Sequence, residues 1–298
     1  MQITVAPASA QTSRAAVRAL LDDSSAPTVI GIYRNLERVP AEFQNHPNFK
    51  AVKGDLTDGS SLDFAGSDAV ITMTPPKYDG SDYIAIAKAI ATNVRQAVDK
   101  LTTVKRLVYV SSMGAQYAEG VVRTNHHSER ILEGSDADVV LVRNCYFMEN
   151  WMSALETIKA DPPHFYSTIA PLDYALPMVS ARDIGRTCAR EALGAGTPLA
   201  KSPRIFELHG PRNYSVRNVK EAFEKVTGKK IEARLVEKPD LHKFFSGFLP
   251  ANIVDDFVEM TLTFLPGGLL EDEMNDLTNV KHGQDTLVDA FSQMWKTN

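Results

Sequence analysis

Cysteine is scarce in this chain: among 298 residues there are only Cys145 and Cys188. Two thiols cannot build a disulfide framework, and neither stands in a CxxC pair, so a reducing compartment is expected. Long apolar runs are missing too. No stretch reaches the roughly 18 apolar residues that a membrane helix needs. The start carries no basic-plus-apolar leader, and the closing "KTN" matches no anchor or retention signal. These absences predict a cytoplasmic protein with no membrane partner. Blocks of like charge are also lacking. With a net charge of -5, a pI near 5.8 and no Lys/Arg run, nucleic acid is not an expected partner.

What is present is a chain 44% hydrophobic and 23% charged, enough to bury a large α/β core. "QITVA" (2–6), "TVIGIYR" (28–34), "FKAV" (49–52), "DAVITMT" (68–74), "RLVYVSS" (106–112) and "DVVLVRN" (138–144) read as strands. Several are nearly continuous in Val and Ile, as in strands buried on both faces of a parallel sheet. Helical patterns fall at 12–22, 82–101 and 122–134, with a short turn near 59–64. Such alternation predicts right-handed crossovers and a doubly wound sheet.

After residue 145 the texture changes, which suggests a first unit over 1–145 and a pocket-forming region over 146–298 interleaved with it. "FMENWMSALETIKA" reads as helix, and "DPPHFYSTIAPLDYALP" as a loop rich in Pro and aromatics. "SARDIGRTCAREALGAG" is a helix closed by glycine. "RIFELHG" and "IEARLVE" are strands flanking the helix "YSVRNVKEAFEKVTGKK", with Ser215 or Asn213 as its cap. Residues 239–265 look helical with surplus apolar character, and "GQDTLVDAFSQMWKT" is a terminal amphipathic helix. Material of this kind packs over the open edge of a sheet and shapes a pocket.

The first strand and helix are joined by "VAPASAQTSR", Val5 to Arg14, which contains no glycine. A dinucleotide-binding fold places its glycine-rich phosphate turn at this point. Further along come "YRN", "GDLTD", "TMTPP", "VSSMGA", "YFMENW" and "MVSARDIGR". In this order the segments resemble the NmrA-like branch of the atypical short-chain dehydrogenase/reductases, over nearly the whole chain. The resemblance implies a Rossmann domain with a smaller C-terminal substrate domain. Members of the family include NAD(P)H-dependent reductases and a nucleotide-sensing transcriptional co-regulator.

The family's first turn reads GxxGxxG, and in register this chain has Pro7, Ala10 and Ser13. Pro7 removes an N–H donor, and Ala10 adds a Cβ where a phosphate would approach the backbone. Thr12 or Ser13 can still donate to an anion at the helix start. The resemblance puts Arg34 against the 2′-phosphate of NADP, and Asp55 with Leu56 at the adenine. On the residues alone, Arg34 is equally a surface arginine and Asp55 a turn cap.

Short-chain dehydrogenases usually pair Tyr with Lys four residues later, yet none of the nine tyrosines has that partner. In register the expected region is "RTNHHSER". The polar groups near the sheet's carboxyl edge are Ser111, Ser112, Tyr117, Asn125, His126, His127, Asn144, Cys145, Tyr146 and Asn150. His126 or His127, with Ser112, Tyr117 and Asn144, is the candidate acid/base set, since imidazole titrates near neutral pH. The alternative is that one histidine faces solvent and the other packs. Adjacent histidines diverge by about 100° on a helix, so no metal site is expected. Glu129 and Arg130 read as a solvated helix face, and Cys145 as a small buried residue. Met113, Tyr146, Phe147, Trp151 and Phe165, with Tyr166, Tyr174, Phe244, Phe245 and Phe248, line a pocket or form the core between the two parts.

Three functions fit these residues. Loss of all three glycines favours, narrowly, a cofactor-independent acid/base isomerisation, cyclisation or rearrangement of a small organic substrate. Arg34 and the resemblance favour an NADPH-dependent reductase instead. The missing dyad favours a non-catalytic regulator. A homodimer is compatible with all three.

Overall fold

The computed structural model describes residues 1–297. The six apolar runs fold as β1 (Gln2–Ala6), β2 (Thr28–Tyr33), β3 (Phe49–Lys53), β4 (Ala69–Thr72), β5 (Arg106–Ser112) and β6 (Asp138–Asn144). Between them stand α1 (Gln11–Leu21), the single turn α2 (Ala41–Gln44), α3 (Tyr83–Asp99) and α4 (Arg123–Leu132). All four residues of β4 and the first six of β5 are buried, as required of strands covered on both faces.

The second half begins with β7 (Tyr146–Phe147), α5 (Leu155–Lys159), β8 (His164–Ser167), β9 (Ala175–Val179) and α6 (Ala181–Leu193). It continues with β10 (Arg204–His209), β11 (Asn213–Ser215), α7 (Val216–Thr227) and β12 (Glu232–Leu235). α8 (Leu241–Ser246), α9 (Val254–Thr263), β13 (Val280–His282) and α10 (Leu287–Thr297) complete it. Ser215 caps α7 through a capping box with Asn218.

Two local readings fail here, for one reason. The segment expected to be helical from Phe147 opens instead as β7, because Tyr146 and Phe147 pair with Met178 and Val179 of β9. A 3-10 stretch, Met148–Ala154, follows before α5. The expected loop over 161–177 contains β8, whose partner β12 lies 68 residues further on. Pairing at such separation leaves little trace in a local pattern.

Eight strands form one all-parallel sheet in the order β3-β2-β1-β4-β5-β6-β10-β13, so chain direction across the sheet reverses between β1 and β4. β10 and β13 come from the second half, so a division at residue 145 separates pocket material but cuts through the sheet. β11-β9-β7 and β12-β8 make two small sheets beside it. Under the first turn, α1 packs closely on α6: a Cβ on Gly185 would come within 2.5 Å of the Ala15 backbone. α8 and α9 enclose a small core of their own, Val236, Leu241, Phe245, Val254 and Leu265.

Candidate functional site

The carboxyl ends of the central strands open into a cavity of about 1120 Å³, which adjoins an inner chamber of about 290 Å³. Ligands of open α/β sheets bind at this edge, where strand order reverses. Pro7, Ala10, Thr12, Arg34, Asp55 and Leu56 all line one wall of the larger cavity. Ser13 does not: it is 3% exposed, turned about 100° from Thr12 into the protein.

Ala10 is the N-cap of α1 and makes no side-chain cap, so the first N–H groups of this helix have no side-chain acceptor. Thr12 Oγ1 lies 3.6 Å from Met73 Sδ. Arg34 is exposed and has no ion pair or hydrogen bond among the described residues. Asp55 spends Oδ1 on its own turn, accepting from the Thr57 N–H at 2.9 Å and the Thr57 hydroxyl at 2.8 Å. Leu56, Ile86 and Ile90 form an apolar slot beside it.

The inner chamber is lined by Ser112, Met113 and Asn144, with Thr74, Asn125 and Cys145. Asn144 donates from Nδ2 to the carbonyls of Ser111 (2.9 Å) and Val142 (3.0 Å), which sets its amide orientation and leaves the buried Oδ1 without a partner among the described residues. Ser112 donates to the Met113 carbonyl at 3.1 Å. Tyr146 lines both spaces, and burial pushes its phenol up to about 12, so it stays protonated near neutral pH. Burial likewise raises the Cys145 thiol well above its ordinary value, so it is held as an unreactive thiol.

Ser112 and Asn144 are paired in register on adjacent strands, as are Ser111 and Arg143 one step earlier. Alternate residues point to opposite faces, so Arg143 stays outside the chamber lining, while Ser111 borders the chamber and sends its hydroxyl to the other face. There Ser111 donates to Glu129 at 2.6 Å, and Arg143 donates to both Glu129 oxygens at 3.0 and 2.7 Å. Glu129 is therefore not on a solvated face: it is 2% exposed, and its carboxylate ties β5, β6 and α4 together behind the chamber. Arg130, one residue on, is exposed.

Three of the five acid/base candidates fall outside the lining of both spaces. His126 Nδ1 is 2.8 Å from the Ala115 carbonyl, and its ring meets His127 edge-on at 5.4 Å. The His127 imidazole is held below its ordinary pKa, chiefly by burial and then by Lys88, His126 and Arg123. Both sit on the flank of α4, whose turn toward the chamber carries Thr124 and Asn125 instead. Tyr117 is exposed and donates its hydroxyl to Glu273.

The aromatic set divides. Phe147, Trp151, Tyr166, Phe244, Phe245 and Phe248 line the cavity. Phe165 is fully buried behind it, between Trp151 and Phe223, because β8 alternates and sends Tyr166 outward. Tyr174 packs on the main core. Tyr78, Phe257 and Phe264 join the lining without having been singled out by sequence. The signal available for the last two was the apolar surplus of 239–265. Among the described residues no group of three or more His, Cys, Asp or Glu is placed to hold a metal, and no helix is long and apolar enough to cross a membrane.

The architecture is similar to several solved structures. Triphenylmethane reductase of Citrobacter sp., complexed with NADP(H), aligns with a TM-score of 0.71 at 16% identity over 99% of this chain and 100% of that one. An NADPH-dependent quinone oxidoreductase of Escherichia coli, complexed with NADPH, gives 0.71 at 19% identity over 99% and 100%. UDP-glucuronic acid 4-epimerase of Bacillus cereus with NAD gives 0.61 at 15% identity over 80% and 88%. At these identities the likeness establishes the fold. No curated protein matches the sequence. Residues 1–278 match the NmrA-like family, to which this chain therefore belongs.

Proposed function

We propose that the protein is an NADP(H)-dependent reductase of a small organic substrate. The observation that carries this reading is a single wall on which Ala10, Thr12, Leu56 and an exposed, uncompensated Arg34 face one cavity. The residues fit the cofactor: free N–H groups at the start of α1 suit a pyrophosphate, the Leu56–Ile90 slot suits an adenine, and Arg34 suits a 2′-phosphate. Bound there, NADPH would supply a hydride.

The chain's own groups do the rest. The Tyr146 phenol donates a hydrogen bond to a substrate oxygen in the inner chamber and is a source of a proton for it, while Ser112, whose hydrogen goes to the Met113 carbonyl, offers its oxygen as an acceptor. Asn144 Oδ1 accepts from a hydroxyl on the same molecule. The surrounding aromatic rings exclude water and so strengthen each of these bonds.

One observation favours a second reading, a cofactor-independent isomerisation or rearrangement. Pro7 offers no N–H and Ala10 carries a methyl group where the family's turn has glycine. Titration with NADPH, followed by calorimetry or nicotinamide fluorescence, separates the two. The reductase requires saturable binding with a dissociation constant of about 10 µM or tighter. No binding at about 1 mM overturns it and leaves the rearrangement.

A further inference from the structure

The charged residues lining the larger cavity are Arg34, Asp55 and Lys77. All belong to the sheet-edge side, and Lys77 already faces Asp79 at 3.5 Å. The opposite wall, built by β7, α8 and α9, contributes no charged side chain to the lining. Its acids are committed elsewhere: Asp256 takes the Tyr83 hydroxyl and Arg123, and Glu259 accepts from the Gly120 N–H at 2.9 Å. An anion seated against these rings would lose its hydration with no counter-charge in reach, and a cation would have only the ring faces to replace its water.

The 3-10 stretch Met148–Ala154, which follows β7 beside this wall, nevertheless holds a donor. Trp151 is 4% exposed and lines the cavity, and its buried Nε1 has no hydrogen-bond partner among the described residues. A buried indole N–H usually finds an acceptor. At the rim, Phe248 is 62% exposed and packs edge-on against Phe244 at 5.4 Å, a large apolar surface left in water.

We propose that the aromatic half of the cavity takes an uncharged, mainly apolar molecule that carries an oxygen acceptor reached by Trp151 Nε1. The assignment rests on the reductase reading only for the occupant of the other half, NADP(H).

Three dyes of comparable size test the charge. N-phenyl-1-naphthylamine is neutral, 1-anilinonaphthalene-8-sulfonate is the same skeleton with an anion, and thioflavin T is a cation. The neutral dye should bind the full chain at least about tenfold tighter than either ion, and Phe248→Asp should weaken it about fivefold. Equal or tighter binding of either ion, or indifference to Phe248→Asp, overturns the proposal. For the acceptor, 2-acetylnaphthalene should displace the neutral dye about threefold better than 2-ethylnaphthalene does. Trp151→Phe, which keeps a ring and removes the N–H, should abolish that preference. A preference that survives overturns the role of Nε1. A parallel NADPH titration separates the two readings: dye binding without NADPH binding sinks the reductase alone, and NADPH binding without dye binding sinks this proposal alone.

Discussion

At the sheet edge the cavity wall is made of strand ends and short turns whose positions follow from an eight-stranded parallel ladder. Across from it the wall is made of aromatic side chains on α8 and α9, which have their own small core. An apolar cluster of Tyr83, Val121 and Ile253 with Phe257 and Met260 ties that module to the sheet domain, as do polar contacts: Asp256 to Tyr83 and Arg123, Glu259 to the Gly120 N–H, and Asn252 to the Gly80 carbonyl at 3.3 Å. The first wall offers backbone donors and a cation, and the second offers rings. Close packing holds both walls, at Gly185 against Ala15 and at Gly120, where an added Cβ would run into the backbone of Asp256 and Met260 on α9, so the walls differ in chemistry. The difference suits one fixed ligand, common to many members of a fold, and one variable ligand.

Breaking the rigid wall should have the largest effect. Glu129→Leu strands Arg143 without its carboxylate and should cost about 3–5 kcal/mol of unfolding free energy in urea. Adding Arg143→Met should recover much of that loss. Loss in both variants alike would mean that the ion pair is not what holds β5, β6 and α4 in place.

A smaller effect is expected from unlatching the aromatic wall. Asp256→Ala removes the acceptor of Tyr83 and Arg123 and should cost about 1–2 kcal/mol. It should weaken binding of the neutral dye more than binding of NADPH. If both fall together, the two walls do not behave as separate parts.

Arg34→Ala should lower affinity for NADPH about tenfold, near 1.4 kcal/mol, and leave NADH unchanged. An equal loss for both nucleotides would show that Arg34 does not meet a 2′-phosphate.

A pH-dependent effect belongs to the joint between the walls. Burial lifts the Glu149 carboxyl to about 7, with Asp285 and Asp183 adding to the rise, while its Oε2 accepts from the Ala181 N–H at 2.9 Å. The folded chain holds this proton more tightly than the unfolded chain. Its contribution to stability is therefore full below about pH 4.5 and is lost as pH rises through about 7. Glu149→Gln keeps an acceptor for Ala181 and removes the loss, so it should stabilise by about 3 kcal/mol at pH 8 and by under about 1 kcal/mol at pH 5. Thermal melts at the two pH values check this.

Much of the sheet was legible in the order of residues. The six runs from Gln2 to Asn144 are dense in β-branched residues and recur at helix-length intervals, and both signals are local. The position of the first turn followed as well, and of the seven residues expected to face a cofactor, six, all but Ser13, line one wall. Residues whose environment comes from distant chain were not legible. Glu129 looked solvated among "HHSER", because Ser111 and Arg143, which bury it, come from two neighbouring strands. His126 and His127 looked catalytic because they are titratable and close in sequence to the sheet edge, but the rotation of α4 presents Thr124 and Asn125 instead.

What the sequence determined by itself was therefore the sheet, the site of the phosphate turn and the absence of glycine from it, since each is written in contiguous residues. Only the tertiary structure decided which aromatics are core and which are lining, and that Trp151 keeps an unspent donor. Those outcomes depend on how α8 and α9 settle over the sheet edge, and packing between segments a hundred residues apart has no local code.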